Sequence, residues 1–150
     1  AVLGRLPEAG PVLDLYAGVG LFALALRARG REVEAVELSR GALEDARANL
    51  GPEPRLHEAE ALAFLRRSRA RAGESVVVDP PRTGLGPSVV QALVRRAPAR
   101  LVYVSCDPVT LARDLVQLRE GGYELLDLEA FDQFPGTFHV ECVAGLRRVA

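Results

Sequence analysis

Lysine is absent from this chain; every one of its 19 basic residues is arginine, a usage that accompanies GC-rich coding. Methionine is absent too, so the chain is expected to be the C-terminal part of a longer one rather than to begin at a start codon. Two cysteines, Cys106 and Cys142, are too few for a disulfide framework. With His57 and His139 as the other soft ligands, they show no metal-binding spacing, so no metal is expected on the chain. A reduced, cytoplasmic compartment is the expectation that follows. No apolar run approaches the roughly 20 residues of a membrane span, and the start carries no secretory signal pattern. The net charge of −1 leaves the chain as a whole without the electrostatic footprint of a protein that grips nucleic acid by itself. What remains is 150 residues, 49% hydrophobic and 26% charged, which fits one domain with a sizeable core.

Strand-like and helix-like segments alternate along it. Residues 12–15, 32–38, 55–58, 75–79 and 101–105 read as strands, the fourth almost purely apolar, as in a parallel sheet covered on both faces. Residues 21–29, 40–50, 61–71, 87–96 and 108–120 read as helices. Ser39 caps the second of these, and Gly30, Gly51–Pro52 and Gly121–Gly122 mark helix ends. Two further strands, 124–131 and 140–146, have no helix between them and should pair antiparallel. The pattern predicts an α/β fold, a doubly wound, mostly parallel sheet of seven strands with a C-terminal antiparallel hairpin. Ligands in such sheets bind beyond the carboxyl ends of the strands.

Those ends carry the chemistry. The first strand runs into "DLYAGVG", where Gly18 and Gly20 allow a tight turn and leave room for a ligand against the next helix. Glu37 ends the second strand, where an acid can accept hydrogen bonds from the two hydroxyls of a ribose. Gly18-x-Gly20-x-x-Ala23 with Glu37 also satisfies the dinucleotide fingerprint, so a nicotinamide-dependent oxidoreductase is one reading. Asp14, four residues before Gly18, argues otherwise: a carboxylate suits a cationic cofactor such as S-adenosylmethionine and does not suit a pyrophosphate. The fourth strand ends in "DPPRTG", where the prolines stiffen the loop after Asp79. The fifth ends in Ser105–Cys106. A free cysteine is more often a buried hydrophobe than a nucleophile. This one, however, stands near a helix N-terminus at Pro108–Val109, whose dipole favours a thiolate. Asp107 opposes that unless it turns away to cap the helix. Glu141, an acid within an apolar run, is a candidate general base; His139 is its rival, and alternation leaves a solvent-facing Glu141 equally open. Cys142, of opposite parity, is assigned to the core.

The motifs "DLYAGVG", "DPPRTG", "YVSCDPVTLARD" and "DQFPGTFHVE" together resemble the RNA uracil-5 methyltransferase family, in the family's order and across nearly the whole chain. The resemblance implies a class I, Rossmann-like methyltransferase catalytic domain over residues 1–150, dependent on S-adenosylmethionine. It implies that Tyr16, Glu37 and Asp79 contact that cofactor, that Gly18 and Gly20 shape its loop, and, more loosely, that Glu60 holds the adenine amino group. Cys106 is the implied nucleophile and Glu141 the implied base, forming 5-methyluridine through a covalent cysteine adduct. Arg82, where amino-methylating enzymes carry an aromatic residue after Pro-Pro, is a candidate to hold the uracil or a phosphate. The implied partner is RNA, with 23S ribosomal RNA favoured over transfer RNA. Position 107 is aspartate where the family commonly has asparagine. The family's upstream RNA-binding portions, an upstream cofactor-binding glutamine and the four-cysteine iron–sulfur site of some members have no counterpart in these residues. A non-catalytic, cofactor-binding remnant is the third reading, which the intact Cys106 and Glu141 oppose.

The charge balance generates the first prediction. This chain alone binds RNA weakly; tight, salt-dependent retention in a mobility-shift assay is the contrary result.

Overall fold

A computed structural model of the chain describes residues 1–52, 54–132, 136 and 140–149. Among these, seven strands form one sheet: β1 (Val12–Leu15), β2 (Val33–Glu37), β3 (Arg55–Glu58), β4 (Ser75–Val78), β5 (Arg100–Ser105), β6 (Tyr123–Phe131) and β7 (Glu141–Arg148). Five helices connect them: α1 (Leu21–Arg27), α2 (Arg40–Leu50), α3 (Ala61–Arg67), α4 (Gly86–Arg96) and α5 (Pro108–Glu120). The strand order is β3-β2-β1-β4-β5-β7-β6. β1 to β5 are parallel, while β7 enters antiparallel between β5 and β6. This is the doubly wound sheet with a terminal hairpin that the alternation predicts.

The central strands β1 and β4 are buried along their whole length, as strands covered on both faces must be. One core layer joins Leu13, Val76, Leu101 and Tyr103 to α3, α4 and α5 through Phe64, Leu93 and Leu111. The other joins Val12, Val77 and Val102 to α1 and α2 through Leu26 and Ala46. α3 is shorter than its basic sequence run implies. Ser68 turns extended, with φ −100° and ψ 153°, and its hydroxyl donates to the Phe64 carbonyl. Just beyond, the buried ion pair of Arg96 with Glu74 is completed by the Ser68 hydroxyl and the Arg69 carbonyl, which accept from the same guanidinium. Those contacts need residues 68–69 as irregular chain, and so override the helical propensity of 68–71.

The register sets which residues share the functional edge. Leu15 lies opposite Val36 and Val78, Val78 opposite Tyr103, and Ser105 opposite Cys142. Tyr16, Glu37, Asp79 and Cys106 therefore leave the sheet at its carboxyl edge. Because β7 is antiparallel, its first residue, Glu141, starts at that same edge.

Gly20 opens α1 with φ +85°, and a Cβ there would meet Leu50 Cδ1 at 2.9 Å. Gly20→Ala is expected to destabilise the fold by about 1–3 kcal/mol from the left-handed backbone, with the end of the Leu50 side chain shifting to admit the methyl group. The chemical-denaturation midpoint measures it.

Candidate active site

The loop after β1 is built on strain and on buried polar contacts. Tyr16 adopts φ +63°, a left-handed conformation that costs a non-glycine residue about 1–3 kcal/mol and persists only where the surroundings impose it. Here the Ala17 amide donates to the Val36 carbonyl, pinning the loop to β2. The Gly18 amide donates to Glu37 Oε2 at 2.9 Å, and the Ser39 amide to Glu37 Oε1 at 2.7 Å. Glu37 is thus fixed at the tip of β2 with both oxygens oriented. Asn49 of α2 donates to the Val19 carbonyl at 2.9 Å and closes the far side of the loop.

Asp14 sits beneath this loop rather than on its surface. It is fully buried, and its Oδ2 accepts from the Ala23 amide in the first turn of α1 at 3.1 Å. Its Oδ1 has no hydrogen-bond partner among the described residues. Burial pushes its pKa up to about 7; the Ala23 amide opposes this, and the charges of Asp79 and Glu37 add to it.

A cavity of about 350 Å³ opens between the ends of β1, β2 and β4. Tyr16, Glu37, Leu38, Glu60, Asp79 and Pro81 line it, over a floor of Val36, Ala59 and Ala61. Four residues singled out in the sequence, Tyr16, Glu37, Glu60 and Asp79, thus share one wall. Burial, with the charges of Glu60 and Asp114, pushes the Tyr16 phenol up to about 12, so it stays protonated. Burial and then the Glu141 charge push Asp79 up to about 6. The described lining holds three carboxylates and no basic side chain, which suits a cationic ligand with a polyhydroxy portion and repels a pyrophosphate. Leu38 was not singled out in the sequence. It is 66% exposed on this rim, where its apolar surface can meet a flat ring. Its only signal was its place directly after Glu37.

At the end of β5 the chain makes a tight turn. The buried Ser105 hydroxyl accepts from the Asp107 amide at 3.2 Å and donates to the Asp107 carbonyl at 3.0 Å. This leaves Cys106 half-buried as a free thiol, while Cys142 is buried in the core. Asp107 caps α5: its Oδ1 accepts from the Thr110 amide at 2.8 Å. That bond, joined by contacts from the Thr110 side chain and Val109 amide and by the charge of Arg82, holds Asp107 below the ordinary carboxylate range despite some desolvation. The carboxylate is thereby committed to the helix end. Glu141, half-buried at the start of β7, lies one residue beyond the Ser105–Cys142 pair, at the edge where Cys106 follows β5. Arg82 is exposed on the loop that follows Asp79, close enough to Asp107 for their charges to interact. His139, the rival base, and most of "DQFPGTFHVE" lie outside the described residues. Among the described residues no His/Cys/Asp/Glu group could hold a metal, and no helix is long and apolar enough to cross a membrane.

Comparison with known proteins agrees with this geometry. The model of a family described as tRNA (uracil-5-)-methyltransferase matches residues 6–149. An uncharacterised RNA methyltransferase of Streptomyces avermitilis is 46% identical over 98% of this chain and 35% of its own length. Another from Thermotoga maritima is 43% identical over 90% of this chain and 31% of its own. Among solved structures, the tRNA (uracil-54, C5)-methyltransferase of Pyrococcus abyssi, in complex with S-adenosyl-L-homocysteine, superposes with a TM-score of 0.83 at 38% identity. It covers 96% of this chain, which covers 36% of it. The chain spans about a third of the length of these relatives.

The state of Asp14 carries a pH signature. Its folded pKa lies above its unfolded value, so between pH 4 and 7 the folded state binds the extra proton. Stability from this group is complete below about pH 4 and is lost as pH rises through 7. Asp14→Asn should remove that loss. Relative to wild type, the variant gains stability on going from pH 4 to pH 8, by on the order of 2–4 kcal/mol. Denaturation midpoints across that range provide the measurement.

Proposed function

The chain belongs to the tRNA (uracil-5-)-methyltransferase family, and from that premise we propose that it is the catalytic part of an enzyme that methylates carbon 5 of a uridine in RNA through a cysteine adduct. The observation that supports the reading is the β5–β7 register, which brings the residue after Ser105 and the first residue of β7 to the edge that carries the acidic cavity. S-adenosylmethionine fits that cavity: a sulfonium and an amino group oppose its carboxylates, and a ribose can hydrogen-bond to the fixed Glu37. When bound, it supplies the electrophilic methyl group. Tyr16, Glu37, Leu38, Glu60 and Asp79 would hold it, with Gly18 and Gly20 shaping the loop. Asp14, buried under the first turn of α1, would support that loop from below.

Carbon 5 of uracil is a weak nucleophile, and the proposed role of Cys106 is to change that. Its thiolate adds to carbon 6, forming a C–S bond and moving the ring's π electrons into an enolate, so that carbon 5 becomes nucleophilic. Once carbon 5 has taken the methyl group, it carries both the methyl and its original proton. Glu141 accepts that proton; the electrons of the C–H bond re-form the 5,6 double bond and expel the Cys106 thiolate. The uracil must leave any stack to reach the thiol. Arg82, exposed beside the turn, is placed to receive the uracil or a phosphate. The near-neutral charge assigns most of the RNA grip to other parts of the full-length protein. The expectation of ribosomal over transfer RNA is tested by the choice of RNA in the assay.

In the full-length enzyme, RNA containing 5-fluorouridine and supplied with S-adenosylmethionine should become covalently attached at Cys106. Cys106→Ala should abolish both the adduct and methylation. Activity surviving that substitution contradicts the proposal, as does calorimetric binding of NAD in place of S-adenosylhomocysteine.

A further inference from the structure

Asp114, in the second turn of α5, is a fully buried carboxylate to which the proposed reaction gives no role. Its Oδ2 accepts from the Leu85 amide at 2.7 Å and from the Tyr103 hydroxyl at 2.8 Å. Its Oδ1 accepts from the guanidinium of Arg113 at 2.9 and 3.0 Å. Arg113 in turn donates to the Thr83 carbonyl at 2.9 Å, and the Thr110 hydroxyl is within donating distance of the Arg82 carbonyl at 3.1 Å and, within α5, of the Asp107 carbonyl at 3.2 Å. Burial and the nearby carboxylate keep Tyr103 above its ordinary pKa, so it remains a donor. Gly84 completes the fit. It takes φ +74°, and a Cβ there would lie 2.5 Å from Asp114 Oδ2, so the loop backbone rests directly on the carboxylate.

Tyr103 ties Asp114 to β5, and three of these contacts, from Leu85 to Asp114, Arg113 to Thr83 and Thr110 to Arg82, join two segments. One is the loop 82–85, which follows the cavity-lining residues Asp79 and Pro81. The other is α5, whose cap is Asp107 and whose first turn follows directly on Cys106. Fully satisfied buried carboxylates make stiff joints, because every alternative leaves a buried donor or charge unpaired.

We propose that Thr110, Arg113 and Asp114 are positioning residues that lock loop 82–85 against α5 and so set where Arg82 and the incoming uracil stand relative to the Cys106 sulfur. This rests on the covalent methyl-transfer reading and adds to it a set of residues that touch neither cofactor nor reacting atoms. The bonds fall on Arg82, Thr83 and Leu85, downstream of the cavity wall. Asp79 is fixed separately, by its amide to the Leu15 carbonyl. Loosening the joint should therefore affect the substrate side and spare the cofactor side.

The test uses the full-length enzyme, with S-adenosylmethionine and RNA containing 5-fluorouridine. Asp114→Asn should slow Cys106 adduct formation by about 10- to 100-fold, the scale of losses from a misplacement of around 1 Å. S-adenosylhomocysteine affinity, by calorimetry, should stay within about twofold of wild type, since Asp114 reaches the cavity only through its charge on Tyr16, which stays protonated with or without it. Thr110→Val, on the helix surface, should give a loss of several-fold that Thr110→Ser restores, because only serine keeps the hydroxyl; this pair decides the matter if Asp114→Asn fails to fold. Wild-type adduct rates in both folded variants overturn the proposal. So does a parallel fall in adduct rate and S-adenosylhomocysteine affinity, which marks a general loss of structure. Absence of adduct in the wild-type enzyme overturns the covalent reading itself and is distinct from either result.

Discussion

The site depends on one topological constraint, the entry of β7 antiparallel between β5 and β6. In an all-parallel sheet every strand would bring its carboxyl end to the ligand edge, and the first residue of a strand would lie at the opposite edge. Reversal of β7 puts an amino end there instead. With Ser105 opposite Cys142, the residue that follows β5 and the residue that begins β7 become cross-strand neighbours. A thiol and a carboxylate 35 positions apart in the chain (residues 106 and 141) are thus brought to the same edge of the sheet by the β5–β7 pairing. Glu141 stands on a paired strand, and Cys106 directly follows one, so both positions are set by the sheet, as the proposed addition and proton removal would require.

That edge gathers negative charge with little to neutralise it. Asp14, Glu37, Asp79 and Glu141 interact closely enough that burial and mutual repulsion raise Asp14 and Asp79. Left empty, such a cluster costs folding free energy. A bound cation would repay part of that cost, so cofactor affinity and domain stability are linked through the same carboxylates. The positive φ of Tyr16 belongs to the same pattern: strain is held where the loop borders the acidic cavity and is offset by the buried layers below.

The order of elements and the cluster at the strand ends were legible in the sequence because both follow local rules. The apolar run of β4, the Ser39 cap and the glycine stops need no tertiary knowledge, and the last strand positions announce the edge. The burial of Asp14 was not legible. From its spacing to Gly18 it reads as a cofactor contact, and only the packing of α1 over β1 shows that the Ala23 amide already holds it. The early end of α3 at Arg67 depends on Glu74 and Arg96, which a local reading cannot connect to Ser68. Asp114 reads as an ordinary polar residue of an amphipathic helix; its burial reflects where the loop after β4 lands. Leu38 was hidden for the opposite reason, since an exposed leucine beside an acid carries no periodic signal.

Aspartate at position 107 finds its explanation in the same geometry. An acid next to a cysteine ordinarily disfavours a thiolate by like-charge repulsion, which would oppose the proposed role of Cys106. Asp107 instead directs an oxygen to the Thr110 amide, and Arg82 adds a favourable charge. Asparagine and aspartate are near equals as helix caps. The exchange therefore leaves the turn and the placement of Cys106 unchanged, and what it adds is one negative charge at the positive end of the α5 dipole. The helix N-terminus and Arg82 bear on that charge before the sulfur does. Aspartate can then replace asparagine beside the thiol at little cost, because the carboxylate belongs to α5 and to the loop that α5 holds.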